Sequence, residues 1–505
     1  MEKIIRSNWK NWTTALLLAV GLFVLYLTVL PDHLVTINDG GDGGDFLSAM
    51  LTHGIPHPTG YPTYMILGQL FLRIPISSPY FRVALLSALA SACAAGLLFL
   101  WVTAQVVRDH KLGWLAGIVA ALAWGTAPLV FSQAGIVEVY GLQSLFFMIN
   151  LWWISLLSRR SESLKSQVWL SLLAFIVGMS LGNHLTILFL APVWVYSLIV
   201  FRKKGNPSTF LILQISLLLA GGLIYLYLPL SARNYPPVNW GNPQSWAGFW
   251  WEVSGKAYQG MLFQIPFVSL VGRIGAAARL LLDQFGILGL VIGLVGAVIS
   301  EKIKSPIRWI LAWLFFSSLI FSLGYNTKDS YLYLIPSLTV FSIWLGIGAI
   351  ELFDIKWRSL PLGNLAGLAL LLFLIVRIPF TRQTVDARKD NRAILYAENY
   401  LRSAPQNAIL LTNGDEDTFP LWYYHFGLKQ RPDIRIILLP LTQFVWYQET
   451  VRHTYPDLVL PPDIESSSTA WGDAISKLNP ERPVCESRPD AKASYGVAVS
   501  CPMTN

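Results

Sequence analysis

Apolar runs of about 16–20 residues recur from Thr13 to position 379, separated by short polar loops, and each is close to the length a helix needs to cross a bilayer. The pattern predicts spans over 13–30, 82–107, 112–131, 139–157, 167–182, 184–201, 209–230, 284–300, 306–323, 331–350 and 361–379, about eleven in all. Residues 167–182 and 184–201 are joined only by Gly182-Asn183-His184, which predicts a tight hairpin bordering a cavity. The segment 268–285 is apolar but carries Arg273, Arg279 and Asp283, so it predicts a helix lying in the membrane interface, not a further span. Beyond Thr381 the pattern changes. A helix over 386–403, buried strands over 408–412 and 434–439, a short helix over 418–428 and a loop-rich end predict a small α/β unit. The expected organisation is a mainly α, polytopic membrane domain over 1–380 and an α/β domain over 381–505. Large loops cover 31–81 and 231–283.

Composition agrees: 54% of the 505 residues are hydrophobic and only 13% charged, about half the charge of an ordinary soluble protein. The net charge of +8 does not point to nucleic acid. The basic residues gather in alternate short loops, at Arg108/Lys111, Arg159/Arg160/Lys165, Arg202/Lys203/Lys204, Lys302/Lys304/Arg308 and Lys356/Arg358. The positive-inside rule makes those loops cytoplasmic. Lys3, Arg6 and Lys10 precede the first span without a small-residue cleavage site, so the amino terminus is expected in the cytoplasm and the α/β domain outside it. The setting expected is a bacterial plasma membrane. Cys485 and Cys501 lie in the outer part, where a disulfide is plausible; Cys93 reads as a core residue.

The most informative stretch is NDGGDGGDFLSAMLTHGIPHPTGYP, residues 38–62. Asp39, Asp42 and Asp45 are spaced by three among glycines, directly after a span. Charge beside hydrocarbon is costly and marks function by default; the plainer alternative is a set of turn residues. His53 and His57 follow. Other polar patches fall on the same predicted side: Glu138 at the mouth of a span, Asn183-His184, Arg233, the aromatic run Trp240 to Tyr258 with Lys256, and Lys328-Asp329. A carboxylate near a hydroxyl is a candidate general base. A departing phosphate needs a cation, which Arg233, Lys256 or Lys328 can supply. Trp240 and Tyr258 can stack on a sugar or serve an interfacial belt. The acidic turn 414–417 reads as structural, joining strand to helix.

These residues resemble the polytopic family, long known only as a domain of unknown function, of transmembrane protein O-mannosyltransferase-like proteins within the GT-C glycosyltransferase superfamily. The similar stretches are 40–71, EVYGLQSLF (138–146), GMSLGNHLTIL (178–188), LYLPLSARNYPPVNWGNP (226–243) and NGDEDTFPLWYYHFGLKQRPDIRI (413–436). The resemblance implies a GT-C fold, an active site in the first outer loop, and inverting transfer of a sugar from a polyprenyl-phosphate carrier. Asp42 matches the first acid of the family's Asp-x-Gly-acid element. Asp45 matches the second, commonly Glu, and its shorter reach fits an orienter or metal ligand better than the base. His57-Pro58-Thr59-Gly60 stands where the family has His-Pro-Pro-Gly.

The expected function is therefore a membrane glycosyltransferase carrying mannose or another hexose from lipid phosphate to a hydroxyl on protein or glycan at the outer face. Asp42 and Asp45 are the candidate catalytic pair. His57, Glu138, Asn183, His184, Arg233, Trp240, Lys256, Tyr258 and Lys328 are candidate substrate contacts. Membrane lipid, the donor and the acceptor are the expected partners, with no nucleic acid. No cofactor is required, while a divalent metal stays possible. The rivals are a transporter or lipid flippase and a non-catalytic scaffold. Against the first stand the missing internal repeat and acids placed at the membrane edge.

Overall fold

The computed structural model describes residues 9–105, 113–157, 164–202, 207–298, 305–354, 362–461, 468–489 and 497–501. Most of the basic loops on which sidedness was argued, including Arg108/Lys111, Arg159/Arg160, Lys203/Lys204, Lys302/Lys304 and Lys356/Arg358, lie outside them.

Among the described residues seven helices are long and apolar enough to cross a membrane, or eight if a bent pair is one span; Ser171–Leu181 and Leu185–Tyr196 are shorter apolar helices. Of the eleven predicted spans, 112–131 is the bent pair, 167–182 and 184–201 are the two shorter helices, and 139–157 is helix Tyr140–Leu157, which is not among the seven. Residues 113–134 form two helices, Gly113–Gly125 and Pro128–Ala134, bent by 67°. Pro128 cannot donate a backbone hydrogen bond and is placed at the start of the second helix. Residues 209–230 lie within one of the seven, Ser208–Ala232, which carries a 3-10 turn at Leu223–Leu226. The segment 268–285 meets the span after it at a non-helical residue, Gly286. Phe267–Val298 runs on as one 32-residue element with a kink at Gly286 (φ 65°).

Two helices form the centre: Pro79–Ala104 and the segment Ser330–Leu352 are 78% and 94% buried, against 17% for Trp9–Leu27. Central helices without lipid-facing surface must pack closely, and small residues allow it. Gly296 and Gly348 meet in this way, since a Cβ on either would collide with the backbone of the opposite helix.

The polar end of the chain builds a four-stranded sheet in the order β2-β1-β3-β4. β1 (Ile409–Thr412) is central and buried throughout, parallel to β2 (Arg435–Leu438) and to β3 (Val484–Pro489). β4 (Val497–Ser500) pairs antiparallel with β3. Tyr455 and Tyr447 accept hydrogen bonds from the backbone of Ile436 and Leu438, which blunts the open edge at β2. β1 and β2 lie where the hydrophobic pattern placed them. β3, β4 and the helices Val445–Thr454 and Ser468–Leu478 replace much of the predicted loop. Cys485 and Cys501 form a disulfide.

Candidate active site

The first loop begins under tension. Asn38 and Asp39 both take left-handed conformations (φ 64° and 57°), which Asn and Asp tolerate better than most residues. Asp390 fixes the approach: its Oδ2 accepts from the backbone N–H of Thr36 (2.8 Å) and Ile37 (2.7 Å). The chain then enters helix Gly43–Thr52, with Asp42 at its N-cap and Asp45 in its first turn. Acids are favoured there by the exposed N–H groups and the helix dipole. A spacing of three puts both carboxylates on one side of the helix.

The two have different surroundings. Asp45 is wholly buried. Its Oδ2 accepts from the backbone N–H of His57 (2.8 Å) and from His57 Nδ1 (2.8 Å), and its Oδ1 from Trp240 Nε1 (3.2 Å). With that carboxylate engaged on both oxygens, His57 turns Nε2 the other way, 3.6 Å from Asp42 Oδ2 and 3.4 Å from the Tyr61 hydroxyl. Phe46 and Phe419 pack against the imidazole. Asp42 is walled by protein, yet its side chain keeps 43% of its surface open. It is the floor of a hollow.

Charge in the hollow is lopsided. Burial lowers the proton affinity of His57, but the charge of Asp42 and the hydrogen bond and charge of Asp45 outweigh it and carry its pKa up to about 9. Burial raises Asp42, opposed by His57 and reinforced by Asp329, Asp45 and Asp39. Glu138 is buried and held well above the usual carboxylate range by burial and then by Asp42; its Oε2 accepts from the Val139 N–H. Asp415, from the α/β unit, is pushed up to about 7 by burial and by Asp42. Asp39 is raised by burial and Asp329, and accepts a hydrogen bond from the Tyr331 hydroxyl.

His184 is the opposite of His57. Burial and the nearby His57 charge lower its pKa to about 4. Its Nδ1 accepts from the Thr186 N–H (3.2 Å), so Nε2 carries the proton. Tyr61, Tyr140 and Tyr333 surround its ring. Asn183 beneath it donates to the Val139 carbonyl (3.4 Å) and to Gln143 (3.3 Å). Asp42, Asp45, His57, Glu138, Asn183, His184 and Tyr258 thus gather around one hollow, Tyr258 beside Asp415 and Asp42.

Other expected contacts lie elsewhere. Trp240 is buried against Trp422 and Trp446 and serves Asp45. Arg233 and Lys256 are on the surface. Lys328 is 96% exposed, 3.9 Å from Glu416 at the rim. Among the described residues no three His, Cys, Asp or Glu side chains are arranged to hold a metal.

Several residues here had no clear sequence signal. Tyr61 lay within the loop motif, four residues after His57. Asp415 and Phe419 come from the α/β unit and reach the hollow only through tertiary folding. The 414–417 turn divides its acids: Asp417 caps it, accepting from the Asn413 and Gly414 N–H groups (2.9 and 2.7 Å), while Asp415 faces Asp42.

Residues 42–208 match the family model of the protein O-mannosyl-transferase TMEM260 N-terminal domain, and 393–473 that of TMEM260-associated domain 2. The protein O-mannosyl-transferase TMEM260 of Mus musculus is 26% identical over 88% of this chain, and that of Dictyostelium discoideum 23% over 84%. The chain spans 66% and 57% of the length of these relatives. The crystal structure of ArnT from Cupriavidus metallidurans bound to undecaprenyl phosphate superposes with a TM-score of 0.58 over 98% of both chains at 12% identity. The Archaeoglobus fulgidus oligosaccharyltransferase gives 0.50 over 93% of this chain and 68% of its own, also at 12% identity. The chain is an integral membrane protein with the GT-C fold, similar in sequence to the TMEM260 protein O-mannosyl-transferases in both its membrane part and its α/β part.

Proposed function

We propose that this chain is an inverting glycosyltransferase that moves a mannose or another hexose from a polyprenyl-phosphate donor to a hydroxyl of a protein or glycan at the outer membrane face. The observation that carries the reading is the Asp45–His57–Asp42 line, with a buried carboxylate behind the imidazole and an open one in front of it. The names of the similar proteins and the undecaprenyl phosphate bound by ArnT support the substrate classes.

In this reading Asp42 is the general base. An acceptor hydroxyl enters the hollow and gives its proton to the Asp42 carboxylate as its oxygen bonds to the anomeric carbon. The bond from that carbon to the phosphate oxygen breaks, and the electron pair leaves with the lipid phosphate. One displacement inverts the configuration. A carboxylate raised by its surroundings is a better base near neutral pH than a solvated one. His57, as imidazolium, keeps Asp42 ionised until the acceptor arrives, and Asp45 aligns His57. Neutral His184 offers Nε2–H to a sugar oxygen, and the tyrosines around it supply an aromatic wall. Lys328, beside Glu416 at the rim, meets the phosphate.

The test is transfer by purified protein from polyprenyl-phosphate hexoses, comparing native protein with Asp42→Asn. Loss of a general base lowers turnover by about 10²–10⁴-fold; donor binding should persist. Equal turnover by both forms would reject Asp42, and no turnover with any donor would leave the transporter and scaffold readings standing.

A further inference from the structure

Glu252 takes no part in the chemistry above. It lies near the end of helix Trp246–Val253, which turns Trp246 and Trp250 outward and packs Trp251 on Phe444 and Trp446 of the α/β unit. Glu252 points inward with no exposed surface, and neither carboxyl oxygen has a hydrogen-bond partner. An unpaired buried polar group costs about 1–3 kcal/mol by protein mutational measures, so its position calls for a reason. Burial, then the neighbouring Asp45, holds its pKa well above the usual carboxylate range, which favours the uncharged acid.

The reason lies in what its two oxygens touch. One approaches Gly60 and the other Gly241: a Cβ on these glycines would stand 3.2 Å from Oε1 and 2.9 Å from Oε2. Both glycines have positive φ, 75° and 67°, a conformation other residues rarely adopt. Gly60 closes the turn that presents His57, its N–H donating to the His57 carbonyl (3.0 Å). Gly241 directly follows Trp240. Among the described residues these turns supply both side-chain donors to Asp45, His57 Nδ1 and Trp240 Nε1. Their segments are also laced together, Ile55 N–H to the Val238 carbonyl (2.9 Å) and Trp240 N–H to the Ile55 carbonyl (3.3 Å). The next helical turn continues the contact, with Gly255 against Thr59.

We infer that Glu252 is a positioning residue, a wedge whose carboxyl group separates the His57 turn from the Trp240 turn by the distance Asp45 requires to bind both. The inference rests on the reading of Asp42, His57 and Asp45 as the reacting group. The Trp-rich helix thus turns Trp246 and Trp250 outward on one face and sets the geometry of the hollow with another.

The test reads His57 directly. Full-length protein labelled with ¹⁵N-histidine is titrated in lipid nanodiscs, with His57→Asn to assign the signal. The groups facing His57 are Asp42, Asp45, Asp415, Tyr61 and His184, and all stay intact in the Glu252 variants. Glu252→Gln keeps the shape and reach toward both glycines, so His57 should titrate as in the native protein and kcat should stay within about threefold. Glu252→Asp withdraws the group from the glycines by one methylene, and Glu252→Ala removes it. In both, His57 should titrate at least about one pH unit lower. Their kcat should fall about tenfold or more with KM nearly unchanged, because small misplacements of reacting groups are costly. If Glu252→Ala does not fold, the comparison of Glu252→Gln with Glu252→Asp decides. Native titration in Glu252→Asp, or an equal shift in Glu252→Gln and Glu252→Asp, overturns the inference. The NMR readout needs no turnover. Should the native protein transfer no sugar while Glu252→Asp still shifts His57, the proposed function fails and the wedge stands.

Discussion

A single imidazole between two carboxylates governs the pH behaviour expected of the hollow. His57 is raised from the ordinary histidine value to about 9. For a raised pKa, the stabilisation due to the charged form is fully present below about 6.5, the unfolded value, and is lost as pH rises through about 9. Asp42 must be ionised to accept a proton, and its pKa is raised. Turnover should therefore climb as Asp42 ionises, hold, and fall above about pH 9 as His57 loses its proton. A kcat–pH profile checks both limbs, and in His57→Asn the alkaline limb should vanish while the plateau drops. A rate still flat at pH 10 in the native protein would show that the imidazolium is not needed. The placement of the two aspartates was legible only in part. The sequence showed them three apart among glycines after a span, but that Asp45 is buried behind His57 involves Trp240, nearly two hundred residues away.

At the scale of elements, the loop that carries Asp42 is held by a clamp far away in the chain. Asp390, just beyond helix Leu362–Val385, accepts two backbone N–H groups and the Thr36 hydroxyl and pairs with Arg392 at 2.6 Å. Burial alone would raise its pKa, but the Arg392 hydrogen bond and the Ile37 and Thr36 donors carry it well below the usual carboxylate range. A depressed carboxylate pKa contributes stability that is present above about pH 4 and lost as pH falls. Asp390→Asn should cost about 2 kcal/mol, read as a lower thermal midpoint in detergent at pH 7, and the difference from native protein should shrink on acidification. A gap independent of pH would mean that shape, not charge, makes the clamp. Nothing in the periodicity of either segment announces this pairing. The same holds for the breaks at 126–127 and Gly286. Apolar runs report which residues avoid water, but a kink leaves that pattern unchanged. Helix Arg392–Ser403 was therefore legible from its polar face and β1 as a short run of buried apolar residues, whereas the bends inside apolar runs were not.

The whole molecule joins its α/β unit to the membrane part through the hollow itself. Helix Asp415–Trp422 lies against helix Gly43–Thr52 so closely that a Cβ on Gly44 would stand 2.6 Å from the Phe419 carbonyl. The chain of contacts then runs outward. Phe419 stacks on His57, and Asp417 of the same helix accepts a hydrogen bond from Ser487 on β3. Two residues before Ser487, Cys485 is bonded to Cys501. Closing a loop of that size is worth about 3 kcal/mol in the chain-entropy account, and such a bond persists outside the reducing cytosol. Two outcomes follow from one arrangement. In intact cells, a membrane-impermeant maleimide should label Cys485 and Cys501 after impermeant reductant and not before. Purified Cys501→Ser should lose about 3 kcal/mol of stability in the α/β unit and, because β3 supports the helix that bears Asp415 and Phe419, should also lose kcat while the membrane helices keep their circular dichroism. Unchanged kcat in that variant would mean that the α/β unit only covers the hollow, and labelling only after permeabilisation would put the hollow on the cytosolic face, where a donor arriving in the outer leaflet could not reach Asp42.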